Sequence, residues 1–190
     1  MAGSCELEKP LSRLEYRAIG LIKAKYIPGD ADPNHGLFQT ADGNLFPVVI
    51  FNKSLLKLLQ NEPDLLTNEQ IWTVYPKTMP EMRFQARHLR RLPEQEDLSA
   101  DTFSLRGVVL KQRDDSFVVQ IKRNFKQGED PSKRPKAFNL LVFGRLPRRA
   151  IGQFWEFTTT RIEKNLILKE ARFIAMVRRT PQRPFAHPKA

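Results

Sequence analysis

Between residues 122 and 136 the chain gathers Lys122, Arg123, Lys126, Lys133, Arg134 and Lys136 around a single aromatic, Phe125. Residue types in this arrangement do a recognisable kind of chemistry. Ammonium and guanidinium groups follow a line of phosphates, and an exposed ring between them stacks on a base. Arg145, Arg148, Arg149 and Arg161 add positive charge further along, and Arg172, Arg178, Arg179 and Arg183 continue it. The set is read as a candidate phosphate-binding surface made of Lys122, Arg123, Phe125, Lys126, Lys133, Arg134, Lys136, Arg145, Arg148, Arg149 and Arg161. The plainer alternative is a solvated loop whose lysines touch nothing.

The charge of the whole chain has the same bias. Of 32 Lys and Arg and 21 Asp and Glu, residues 1–100 hold 12 and 13, and residues 101–190 hold 20 and 8. The halves therefore carry −1 and +12, which sum to the net +11. A neutral half joined to a strongly basic one points to a polyanionic partner for the second.

Other chemistries find little support. His35, His88 and His187 lie in separate regions without metal-spaced companions. Asp30 to Gly36 begins like a calcium loop, but it lacks glycine at the sixth position and glutamate at the twelfth. There is no nucleophile elbow, P-loop or dinucleotide fingerprint. Asp114-Asp115 reads as a turn. No enzyme, metal or cofactor is expected. Cys5 is the only cysteine, so no internal disulfide forms. No stretch of 18 apolar residues exists, and the acidic N-terminus is not a signal peptide. These features fit a reducing, bacterial-type cytoplasm.

The elements that must position the cations repeat. Gly20 within Arg17–Ile22 is echoed by Gly107 within Leu105–Val109. Val48–Phe51 is echoed by Leu140–Phe143, and Ile71–Tyr75 by Phe154–Thr158. The offsets are 87 (107−20), 92 (143−51) and 83 (155−72), the drift expected of an old duplication. The first unit reads as strands over 14–26, 35–41 and 44–52, a helix over 53–61 capped by Ser54, and strands over 71–75 and 82–89. Asp42-Gly43 between apolar runs predicts a type I′ hairpin. The second unit reads as strands over 103–111, 117–122, 137–145, 153–161 and 166–175, with residues 146–151 where the helix should be. Gly20 and Gly107 are read as bulges or bends that curl a barrel. Trp72 and Trp155, at matched positions in units of unlike charge, are read as core rather than stacking residues.

Strand, strand, strand, helix, strand, strand is the order of the OB-fold, a five-stranded Greek-key barrel that binds oligonucleotides. A small SH3-like barrel is the competing architecture. The expectation is a mainly β chain of tandem OB-like five-stranded β-barrels, the first with a short helix, the second with the helix reduced or absent. Its parts are an N-terminal extension (1–13), a first barrel (14–91), a linker (92–100), a second, basic barrel (101–176) and a basic proline-rich disordered tail (177–190).

The runs Tyr16–Ile22, Ile71–Pro76 and Gly152–Trp155 resemble an uncharacterised cyanobacterial protein family, and the likeness spans roughly residues 14 to 175. It implies a bacterial, cytoplasmic setting. The wider likeness to OB-fold nucleic-acid-binding proteins implies a binding face on the second and third strands, here near Lys122, Arg123 and Lys136. The expected partner is RNA or single-stranded DNA, bound without catalysis, with a protein partner possible for the first barrel. The rival reading is an assembly factor that docks on a large acidic complex such as RNA polymerase or the ribosome.

Overall fold

A computed structural model describes residues 14–90, 100–124, 136–147 and 149–177. The expected N-terminal extension, nearly all of the linker and the tail beyond Val177 lie outside the described residues. Ten strands account for most of the rest. In the first half these are β1 (Arg17–Pro28), β2 (His35–Gln39), β3 (Leu45–Ile50), β4 (Gln70–Lys77) and β5 (Arg83–Arg90). In the second they are β6 (Thr102–Gln112), β7 (Ser116–Lys122), β8 (Ala137–Phe143), β9 (Gln153–Ile162) and β10 (Asn165–Met176). Two helices, α1 (Lys53–Asn61) and α2 (Asp64–Thr67), sit between β3 and β4. No described helix is long and apolar enough to cross a membrane.

Each half closes into a ring. The first runs β1-β2-β3-β5-β4 and back to β1, and the second runs β6-β7-β8-β10-β9 and back to β6. All pairings are antiparallel except β3 with β5 and β8 with β10, which are parallel. The second ring is barely closed on that side, through Ile167 opposite Phe143. Alternation explains the interiors. Ile22, Ala24 and Tyr26 of β1 and Phe46, Val48 and Ile50 of β3 point inward every second residue, as do Phe117, Val119 and Ile121 of β7.

Local chemistry sets the connections. Helix α1 buries Leu55 and Leu59, but its cap is Asn52 and not Ser54. The Asn52 carboxamide oxygen accepts from the backbone N–H of Ser54 (3.0 Å) and Leu55 (3.3 Å), the best use of a side chain where those donors have no helical partner. Between β2 and β3 only Gly43 of the turn has positive φ (+78°), with its N–H bonded to the Thr40 carbonyl. The hairpin forms as expected, but with a left-handed glycine after the turn in place of a type I′ pair. Between β8 and β9 the described residues form a turn and no helix.

The two rings share a seam. β1 pairs with β6 antiparallel from Arg17–Arg106 to Gly20–Phe103. Gly20 shows no register shift in its pairings with β4 and β6. Its role is space: a methyl group there would overlap the Phe103 ring. Gly107 likewise lets the Gln120 carbonyl approach. Phe103 is fully buried and stacks on Phe84 of β5 (centroids 6.1 Å, 13°), so one apolar core runs through both rings. Thr78, in the β4–β5 loop, accepts a hydrogen bond from the Leu141 N–H of β8 (2.6 Å).

The tryptophans are both buried, though not at equivalent positions. Trp72 lies opposite Ile22, two residues beyond Gly20, whereas Trp155 lies opposite Gly107. The register equates Val74 with Trp155. Trp72 donates to the Ala24 carbonyl (2.8 Å), and Trp155 donates to the Gln153 side chain (3.0 Å).

Candidate nucleic-acid interface

The basic segment after β7 leaves the barrel from a fixed stem. Lys122 pairs with Ala137 at the last step of the β7–β8 ladder, and the Arg123 N–H bonds the Lys136 carbonyl (2.9 Å). Asn124 then ties the stem to the beginning of the described chain. Its oxygen accepts from the Tyr16 N–H (2.8 Å), and its amide donates to the Tyr16 carbonyl (2.9 Å). The Tyr16 ring packs edge-on against Phe154 (5.1 Å), and burial raises its phenol pKa. Lys122 is half-buried, while Arg123 and Lys136 are exposed. Phe125, Lys126, Lys133 and Arg134 lie outside the described residues, as does Arg148.

The expected cations do not form one patch. Arg145 and Arg149 are exposed, but they follow β8 at its other end. The seven residues of β8, roughly 23 Å of strand, lie between Lys136 and the turn that carries Arg145. Between the two groups, outward positions of β7 and β8 carry Gln120 opposite Asn139, with Asn139 exposed. The sequence did not single out these two amides, because nothing in the strand pattern distinguishes one outward polar residue from another. Phe117 and Phe154 are buried and Phe138 packs on the core, so none of these three offers a free ring.

Arg161 must be removed from the cationic set. Its side chain is 5% exposed. Its guanidinium donates to both Asp101 oxygens (2.8 and 3.0 Å), to Asp42 (2.7 Å) and to the Glu163 carbonyl (2.9 Å), and it lies over the Phe46 ring (5.3 Å). Asp42 sits in the first ring and Asp101 and Arg161 in the second half, so this is a clamp between them. Burial disfavours the arginine's charge, but the hydrogen bonds it donates to Asp101 and Asp42 outweigh that and raise its pKa. Burial also works against the Asp42 carboxylate. Hydrogen bonds from Thr40, Arg161 and Asn44 overcome that and hold it well below the usual carboxylate range.

Among the described residues no group of three His, Cys, Asp or Glu converges. The former calcium-like loop uses Asp32 internally: it accepts from the Asn34 backbone (2.8 Å) and side chain (2.7 Å) and faces His35 Nδ1 (2.7 Å), contacts that lower its pKa.

Two closed five-stranded rings, each with a parallel contact between its third and fifth strands, make this a tandem OB-fold protein. Residues 18–90 match the family model described as the PatR RNA-binding protein, N-terminal OB-fold domain, and residues 105–175 match the cyanobacterial OB-fold-like RNA-binding domain, C-terminal. The chain belongs to this cyanobacterial family of OB-fold RNA-binding proteins, which gives it a nucleic-acid-binding role. No curated protein matches it significantly.

Proposed function

We propose that the chain holds single-stranded RNA without acting on it chemically, in a cytoplasmic setting, with the β7–β8 stem of the second barrel as the primary contact. The observation that carries this is the placement of Lys122, Arg123 and Lys136 at one fixed hairpin end of a barrel in an RNA-binding family. Gln120 and Asn139 lie along the adjoining face as hydrogen-bonding groups. In this reading Lys126, Lys133 and Arg134 add charge next to the stem, Phe125 stacks on a base, and Arg145, Arg148 and Arg149 add cations after β8. The expected domain limits, with a linker at 92–100 and a basic tail from 177, fit this use, because the tail adds cations to the same half.

Fluorescence anisotropy with short single-stranded RNA and DNA tests the reading. With about five phosphates engaged, log K should fall with log salt at a slope near −3.5. Replacing Lys122, Arg123 and Lys136 by Glu should flatten the slope and weaken binding. Tighter binding to RNA than to DNA of the same sequence would mark contact with the 2′-OH. A chain that binds neither at low salt would refute the proposal and favour the assembly-factor reading.

A further inference from the structure

The neutral first barrel carries a cationic and aromatic face of its own. Its residues 14–90 contain Arg17, Lys23, Lys25, Lys53, Lys57, Lys77, Arg83, Arg87 and Arg90, against eight carboxylates. Four of these nine cations fall on the β4–β5 hairpin, where Glu81 is the single carboxylate. A near-zero total thus hides a local excess.

The geometry of that hairpin is specific. Tyr75 lies opposite Gln85 and Lys77 opposite Arg83. Trp72, Val74 and Pro76 point into the barrel, as do Phe84 and Ala86, so Tyr75, Lys77 and Arg83 share the outer face. A register shift between Val74 and Thr73 makes Arg87 the extra residue of a β-bulge. Bulges turn a side chain away from its ladder direction. Here the turn lays the Arg87 guanidinium over the Tyr75 ring, 5.1 Å from its centroid. The bulge is braced from outside the sheet, because the Asn52 amide that caps α1 also donates to the Arg87 carbonyl (3.2 Å). Arg87 is exposed, and among the described residues no carboxylate pairs with it, Lys77 or Arg83.

We propose that this face is a second contact for the same single-stranded RNA: a base stacks on the Arg87–Tyr75 pair while Lys77 and Arg83 hold the adjacent phosphate. A guanidinium placed over a ring joins a cation to an aromatic surface on which any base can stack, and the two positions along the strand are roughly 6.6 Å apart, about one nucleotide of an extended strand. The face also adjoins the first contact. Lys77 precedes Thr78, which is bonded to Leu141 of β8, and Lys136 lies five residues before Leu141, roughly 17 Å along that strand. The inference rests on the RNA-binding reading of the second barrel, and charge complementarity selects a polyanion over a neutral partner.

The test uses the full chain and one short single-stranded RNA bearing 4-thiouridine. Tyr75→Ala and Arg87→Ala should each weaken binding about tenfold, while Tyr75→Phe stays near the parent. Arg87→Lys keeps the charge and loses the plane, so it should bind nearly as weakly as Arg87→Ala. Lys77→Glu with Arg83→Glu should make the salt slope less negative by about 0.7. Photo-crosslinks should map to peptides spanning residues 75–87, and thermal melting of each variant shows whether it folds. Parent-like affinity in folded Tyr75→Ala and Arg87→Ala, with crosslinks confined to the second barrel, would overturn this contact and leave the second-barrel reading intact. A parent chain that binds no oligonucleotide would overturn both.

Discussion

The outer face of β4–β5 and the outer face of β9–β10 occupy equivalent places in the two barrels, yet they carry opposite electrostatics. The register aligns them residue by residue, down to a bulge at the same step: Arg87 in the first and Ile174 in the second. Tyr75 corresponds to Glu156, Lys77 to Thr158 and Arg83 to Glu170. In the basic barrel this face is therefore charge-paired. Glu156 binds Arg172, and it lies 3.8 Å from the buried Arg106. In the neutral barrel the strands of the same face carry no carboxylate, and the Arg87 guanidinium lies over the Tyr75 ring. The net charge of a half thus conceals how the cations of each face are paired.

Both barrels are held by apolar cores that meet across the β1–β6 seam. The largest effect should come from removing that seam. Phe103→Ala empties a fully buried site shared by the two cores and should cost about 3 to 5 kcal/mol in chemical denaturation. A single unfolding transition is expected, and two separate transitions would show that the barrels fold independently. Trp72→Ala and Trp155→Ala should fall in the same range, with the Trp72 variant the worse because its indole is fully buried and bonded to a backbone carbonyl. A Trp155 variant that keeps its melting temperature and loses RNA would make that ring a binding platform.

A smaller loss is expected from the clamp. Arg161→Met should cost about 2 kcal/mol, less than a fully enclosed pair because Asp42 and Asp101 are partly exposed. Its pH dependence has a definite sign. The Asp42 pKa is depressed in the folded chain, so its contribution is fully present above the ordinary value of 3.8 and drains away as pH falls toward its folded value. Asp42→Asn should therefore be less stable than the parent at pH 7, and the difference should narrow on acidification below about pH 4. A constant gap from pH 7 to pH 2.5 in thermal melts would contradict the role of that carboxylate.

The smallest effect sharpens the electrostatic contrast itself. Glu170 is exposed on the charge-paired face, at the place of Arg83. Glu170→Lys should steepen the salt slope of RNA binding by at most about 0.7, the value of one added phosphate contact. A full set of parent-like isotherms would mean that RNA does not pass this side of the second barrel.

The strands and α1 were legible because period and punctuation are local: alternating apolar residues, Asp42-Gly43, and the leucines of residues 55–59. The lost helix of the second barrel was equally plain in residues 146–151. What escaped was non-local. Arg161 looked like a free cation because its partners lie 60 and 119 residues away in sequence. The Arg87–Tyr75 pair depends on a bulge, whose trace in the sequence, a step of three from Ala86 to Leu89 after the step of two from Phe84, does not tell which ring the displaced side chain meets. Asn52 was passed over for Ser54, two residues further on, since both are good caps and only the backbone decides which stands at the boundary. Aligning tryptophan with tryptophan gave an offset of 83, and the register shows that the old equivalence is Val74 with Trp155.

The seam between the barrels has the symmetry of a dimer. With the offset of 87 between Gly20 and Gly107, Ala18 and Leu105 are equivalent residues, and they face each other across β1 and β6. Arg17 opposite Arg106 and Ile19 opposite Ser104 fall about that point as a two-fold axis would place them. Two identical single-barrel chains could meet through this same strand, each offering the other one surface in duplicate. Joined in one chain, the pair no longer depends on concentration, and a substitution alters one copy of a surface at a time. Unlike two identical copies, such a joined pair can keep one face cationic while its twin acquires Glu156 and Glu170.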